Sequence, residues 1–156
     1  MSQRHSKWLT AVLGLLVLGL AGGWWQREQT FAQEREKLLQ SKTIKLAEVG
    51  LKEFQWEGKP TGQVGIYFAG NTPTSREFVT GRFVLRPGLE PHPIHQHPEE
   101  EILIVTAGEG EISCDGQITR VIAGSVMYTA PNVPHGIRNT GQNPLEFYFV
   151  KWIGRK

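Results

Sequence analysis

From about Thr43 onward the chain is a succession of short β-prone runs, each closed by Gly, Pro or Asn. The runs are QVGIYFAG (63–70), EFVTGRFVLRPG (77–88), EILIVTAG (101–108), GEISCDGQITRV (110–121), SVMYTA (125–130), HGIRN (135–139) and LEFYFVKW (145–152). No segment between them has helical periodicity. About seven short strands with turn signals between them specify an antiparallel sandwich or barrel. Asp115-Gly116 sits between two such runs and predicts a tight hairpin, because a type I′ turn needs positive φ at both central residues. Arg86-Pro87-Gly88 and Asn139-Thr140-Gly141 mark further turns. Roughly 100 residues of this pattern suffice for one hydrophobic core.

The first 42 residues differ in character. Trp8–Trp25 carries no charge and is apolar except for Thr10, with Arg4, His5 and Lys7 before it. As a helix at about 1.5 Å per residue it would be roughly 27 Å long, enough for a bilayer core. Trp24 and Trp25 fall where an interfacial anchor is expected. The competing reading is a signal peptide cleaved near Ala21-Gly22-Gly23. The uncleaved anchor is favoured, because a clean small-x-small cleavage pair is missing. Both readings leave the rest of the chain outside the cytoplasm; a buried core helix fits the basic flank poorly. Residues 26–42, rich in charge and helix formers, read as a solvated helical stalk. The expected organisation is therefore anchor or signal (1–25), stalk (26–42) and β-barrel (43–156), preceded by the membrane contact at 8–25.

Composition closes off several functions. The 156-residue chain has 17 Lys and Arg against 15 Asp and Glu, a net charge of +2. That balance gives no basic footprint for nucleic acid. The single cysteine, Cys114, excludes an internal disulfide and reads as a small packed side chain. The only Asp lies in the Asp115-Gly116 turn, which argues against a Ser-His-Asp triad. Four of the five histidines, by contrast, fall between His92 and His135.

His95-Gln96-His97 places two imidazoles on one face of an extended chain. Glu101, Leu103 and Val105 share a face of the next run, so Glu101 is either a carboxylate at the lip of an apolar strand or the end of an exposed acidic trio with Glu99 and Glu100. In the first case it needs a pairing partner or a bound cation. His135 follows a tight turn at the start of another β segment.

These stretches resemble the two motifs of the cupin superfamily of small jelly-roll β-barrels. In the first, Gly88 is followed by six residues, His95-x-His97, three residues, Glu101, six residues and Gly108. The second has Gly124, Ala130 in place of the usual Pro, Asn132 in place of Gly, then His135 and Asn139. Asn is the next best residue to Gly at positive φ. The motifs cover 88–139, and the strand pattern extends the likeness to about 60–153.

The resemblance implies an all-β jelly-roll barrel holding a divalent metal on His95, His97, Glu101 and His135. Mn, Fe, Co, Ni, Cu and Zn all suit that ligand set. It implies a small-molecule ligand or substrate, and pairing as a homodimer is common in the family. Two functions follow: a metalloenzyme of oxygenase, isomerase or hydrolase type acting on a small polar molecule outside the cytoplasm, or a non-catalytic, membrane-tethered binding or sensor module. A solvent-open cavity with a second polar group favours the enzyme. A barrel plugged by Met127, Tyr128 or Phe147 favours the module. His92 reads as a loop residue or one standing behind the ligands, and not as a fifth ligand, because Pro93 and the shift in parity turn it away. Tyr128, Phe147 and Phe149 read as core, and Arg86 and Arg138 as solvated strand-edge residues.

Overall fold

The computed structural model of the chain describes residues 38–155. The expected anchor or signal at 1–25 and most of the stalk at 26–42 lie outside the described residues. Residues 39–42 are not helical; the Leu39 N–H instead donates to the Asn71 carbonyl at 2.8 Å. Among the described residues the only helical turn is a 3-10 turn at Leu46–Glu48, and no helix is long and apolar enough to cross a membrane.

Nine strands follow: β1 (Lys52–Trp56), β2 (Lys59–Gly70), β3 (Ser75–Leu85), β4 (Glu100–Ala107), β5 (Glu109–Cys114), β6 (Gln117–Ile122), β7 (Val126–Thr129), β8 (His135–Asn139) and β9 (Leu145–Gly154). All pairings are antiparallel, in a six-stranded sheet ordered β1-β2-β3-β9-β4-β7 and a three-stranded sheet ordered β6-β5-β8. Every strand read from the sequence is present. Strand β1 is an addition, formed by five residues of which only Phe54 turns partly inward. It joins β2 through Glu57-Gly58, with φ of 49° and 76°. That is the backbone geometry of Asp115-Gly116, at 50° and 75°, built with a less telling residue pair.

The period-two pattern sends Phe83 and Leu85 of β3, Leu103 and Val105 of β4, and Leu145 and Phe147 of β9 to one face of the large sheet. Ile112, Val121 and Ile137 meet them from the small sheet. Phe83 and Phe147 stack at 5.5 Å, and Phe54 meets Phe83 edge-on at 5.3 Å. Tyr128 departs from the core assignment: Met127 and Thr129 take the inward positions of β7, leaving Tyr128 55% exposed and donating to Glu100 at 2.9 Å. Between β4 and β5, Gly108 (φ 80°) is required twice over, because a Cβ there would also lie 2.5 Å from the Pro144 carbonyl oxygen.

Among the described residues the polar side chains of Thr129, His135 and Asn139 are sealed inside this frame. Asn139 ends β8 with no exposure. Its Nδ2 donates to the Leu85 carbonyl at 3.0 Å and to the Asn143 carbonyl at 2.9 Å, and its Oδ1 accepts from the Gly141 N–H at 2.9 Å. The knot ties β3, β8 and the turn into β9. Asn139→Ala leaves those groups without side-chain partners and should lower stability by about 3 kcal/mol, since each unsatisfied buried group costs about 1–3 kcal/mol. Urea unfolding measures it; a loss below about 1 kcal/mol would mean the knot is dispensable.

Candidate metal centre

The four residues predicted as metal ligands come from three places in the chain. His95 and His97 lie on the extended approach to β4, Glu101 is on β4, and His135 opens β8. A reciprocal backbone bridge fixes the first to the last: His95 N–H donates to the His135 carbonyl at 3.0 Å, and His135 N–H returns the bond at 2.9 Å. The Asn132 N–H donates to the His97 carbonyl at 2.8 Å. Asn132 has a φ of 60°, the left-handed conformation its place in the second motif requires. The two motifs are thus joined by backbone bonds on either side of the histidines.

The imidazoles converge. The ring centroids of His95, His97 and His135 are 4.6–5.2 Å apart, and one ligand nitrogen from each lies within 4.8 Å of the others. Glu101, 7% exposed, opposes Thr129 of β7 and Lys151 of β9. Its Oε2 lies 2.8 Å from His135 Nε2 and 3.2 Å from His97 Nε2. The acidic trio therefore separates: Glu101 turns inward, Glu100 bonds Tyr128, and the buried Glu99 Oε2 has no hydrogen bond.

The outer nitrogens set the tautomers. His97 Nδ1 is 3.2 Å from the Glu99 carbonyl, and His135 Nδ1 is 2.8 Å from the Val133 carbonyl. A carbonyl only accepts, so each Nδ1 carries the proton and each Nε2 lone pair is aimed inward unless its ring is protonated. Two inward lone pairs facing one carboxylate oxygen need a positive centre among them, a proton or a cation. His95 Nδ1 is buried and has no partner at all. Neutral imidazoles anchored through one nitrogen and free at the other are what a metal requires. The donor set fits.

The electrostatics agree. Burial, reinforced by His92, His135 and His97, pushes the His95 imidazolium down to about 4, so His95 is neutral at physiological pH. Burial is the largest influence on Glu101 and works against its ionisation, but the His135 hydrogen bond, the His135 charge, Lys151 and His97 together outweigh it and hold the carboxyl below its ordinary value. For His135 burial likewise favours the neutral ring, and the bonds to Glu101 and the Val133 carbonyl reverse that, raising its pKa.

Beside the imidazoles is a cavity of about 260 Å³. Phe54, Phe83, Leu103, Phe147 and Phe149 form its apolar wall, and His92, His95, Glu101, His135 and Lys151 its polar part. His92 stands behind the converging imidazoles: its ring meets His95 edge-on at 4.1 Å and Trp56 at 5.7 Å, and its Nδ1 is 3.1 Å from the Pro93 carbonyl. Lys151 was missed. Its signal was available, since Phe147, Phe149 and Lys151 alternate on one face of β9 and a lysine at inward parity is unusual. Arg86 pairs with Glu53 at 3.0 Å and Arg138 is exposed, as expected of solvated arginines.

The low His95 value has a consequence for the metal-free protein. Between pH 6.5 and about 4 the unfolded chain binds a proton on His95 that the folded chain refuses, so stability falls as pH falls through that window. Relative to wild type, His95→Gln should lose this slope, a difference of roughly 2–3 kcal/mol at about 1.36 kcal/mol per pKa unit. Urea unfolding of chelator-treated protein at several pH values reads it, and parallel wild-type and variant curves would contradict it.

Residues 81–151 match the family model described as Cupin domain. Among solved structures, the chain is similar to a predicted oxalate decarboxylase from Thermotoga maritima, at 27% identity over 72% of this chain and 99% of that one, with a TM-score of 0.57. A cupin 2 conserved barrel domain protein from Salinispora arenicola matches at 23% identity, 74% and 89% coverage and a TM-score of 0.52. An RmlC-like cupin from Shewanella frigidimarina matches at 15% identity, 75% and 95% coverage and a TM-score of 0.59. The two-sheet unit that contains the matched residues 81–151 has the jelly-roll fold of these solved cupin structures.

Proposed function

We propose that this domain holds one divalent transition metal on His95, His97, Glu101 and His135, and is a metalloenzyme acting on a small molecule in the adjoining cavity. The observation that carries the reading is the convergence of His97 and His135 Nε2 on the buried Glu101 carboxylate, with the His95 nitrogen buried and unpartnered beside them. A bound ion of the Mn-to-Zn series supplies Lewis-acid polarisation and, for the redox-active members, electron transfer.

The chain's own residues have separable roles. Glu101 offsets part of the ion's charge. The Glu99 and Val133 carbonyls hold the His97 and His135 rings in their inward tautomer. The phenyl wall lowers the local dielectric on its side of the cavity, which strengthens the charge interactions beside it. The catalytic reading is favoured over a sensor by the unfilled space: Tyr128 faces out, Met127 and Phe147 leave the cavity open, and Lys151 supplies a second polar group.

Two experiments test this. Full-length protein incubated with Mn, Fe, Co, Ni, Cu or Zn and desalted should keep one equivalent of at least one metal, while the His95→Ala/His97→Ala double variant keeps none. Glu101→Gln should weaken retention by roughly 10–100-fold, of the order seen when groups supporting a metal are removed. Wild-type protein that holds no stoichiometric metal overturns the reading. The apolar run at 8–25 supports the further reading that the cupin domain is tethered outside the cytoplasm. Full-length protein should then sediment with membranes and be reached by protease added from outside; a soluble product starting after residue 25 would replace the tether with a cleaved signal.

A further inference from the structure

Lys151 is the one strongly basic side chain lining the cavity. It is half-buried, opposite Glu101 across the β4–β9 register. Among the described residues it makes no salt bridge and no side-chain hydrogen bond. The carboxylates near it are committed elsewhere: Glu101 to the two imidazoles, Glu100 to Tyr128 on the outer face. Glu101 is the one carboxylate whose charge Lys151 feels, without a direct ion pair, and on its other side the ammonium borders Phe54, Phe83, Phe147, Phe149 and Leu103. Among the described residues the cavity thus offers an ammonium with no salt-bridge partner at the edge of an apolar wall.

We propose that Lys151 is a substrate-binding residue, and that the molecule it receives is a small monocarboxylate with an apolar body. The ammonium selects a negative charge, and the phenyl side of the cavity receives the apolar body. A space of about 150 Å³ lined by apolar side chains takes benzene, so the 260 Å³ here admits a ring of that size with a carboxylate attached. Lys151 then does what Glu101 does for the metal: it supplies the missing charge for a group that is otherwise dry. The inference rests on the proposed metal site for its neighbourhood, but the lysine's contribution is read independently of metal.

The test is titration calorimetry of full-length protein with benzoate and with benzyl alcohol, its uncharged counterpart, in zinc-loaded and in metal-stripped forms. Benzoate should bind wild type and bind Lys151→Met about 10–100-fold more weakly, as expected for loss of a charge-assisted hydrogen bond. Lys151→Arg should recover most of the affinity. Benzyl alcohol should not respond to either substitution. An unchanged thermal midpoint for Lys151→Met shows that the barrel is intact. Equal benzoate affinity of wild type and Lys151→Met overturns the proposal, as does absence of benzoate binding to wild type in both forms. Failure to retain zinc counts against the metal centre alone, since the stripped protein still reports the lysine.

Discussion

The site depends on a carboxylate that has been taken out of water. Glu101 stands at an inward position of β4, in line with Leu103 and Val105, where the strand's alternation would otherwise place another hydrocarbon. An ionised group there is tolerable only if its surroundings answer its charge. The imidazoles of His97 and His135 face it, and a proton or a cation held among the three groups answers its charge. Remove the carboxylate and two imidazole nitrogens would face a wall of phenyl rings with nothing to bind. The hydrophobic sheet and the polar centre are therefore one design, since the apolar wall gives the small charged cluster its strength.

Backbone bonds carry the precision. Histidines on a loop would ordinarily wander, because loops lack the ladders that hold strands. Here His95 is bound at both its N–H and its carbonyl to His135, and His97 is bound through its carbonyl to Asn132. Asn139 performs the same service at the far end of β8, fastening it to β3 and the turn that follows. The strand bearing one candidate ligand is thus pinned at each end, and its imidazole is fixed by backbone position as well as by its own contacts.

The legible part of this arrangement was the part written in parity and turn chemistry. Alternation in Glu101–Val105 told which face Glu101 occupies, Asp115-Gly116 announced its hairpin, and Asn132 at a glycine position announced positive φ. Strand β1 escaped because a solvated edge with one inward residue has no hydrophobic period to read. Tyr128 was misplaced because aromatic character was weighed above register, and Met127 held the inward position. His92 was legible only as a residue behind the ligands; that it packs on His95 depends on where its side chain lands, which proline's restriction of the backbone before it does not fix. Lys151 could have been found by extending the alternation of β9 two residues past Phe149.

Strand β9 is the last in the chain and yet lies in the middle of the large sheet, between β3 and β4. Its partners are therefore made first and must wait. Ser75 pairs with Gly154, so the closing contacts span nearly the whole domain, the kind of long-range pairing that slows folding. During synthesis the candidate ligands His95, Glu101 and His135 all emerge before the strand that walls the cavity. The aromatic wall and Lys151 are thus the last part of the cavity to be made, added to a chain that already carries the candidate ligands.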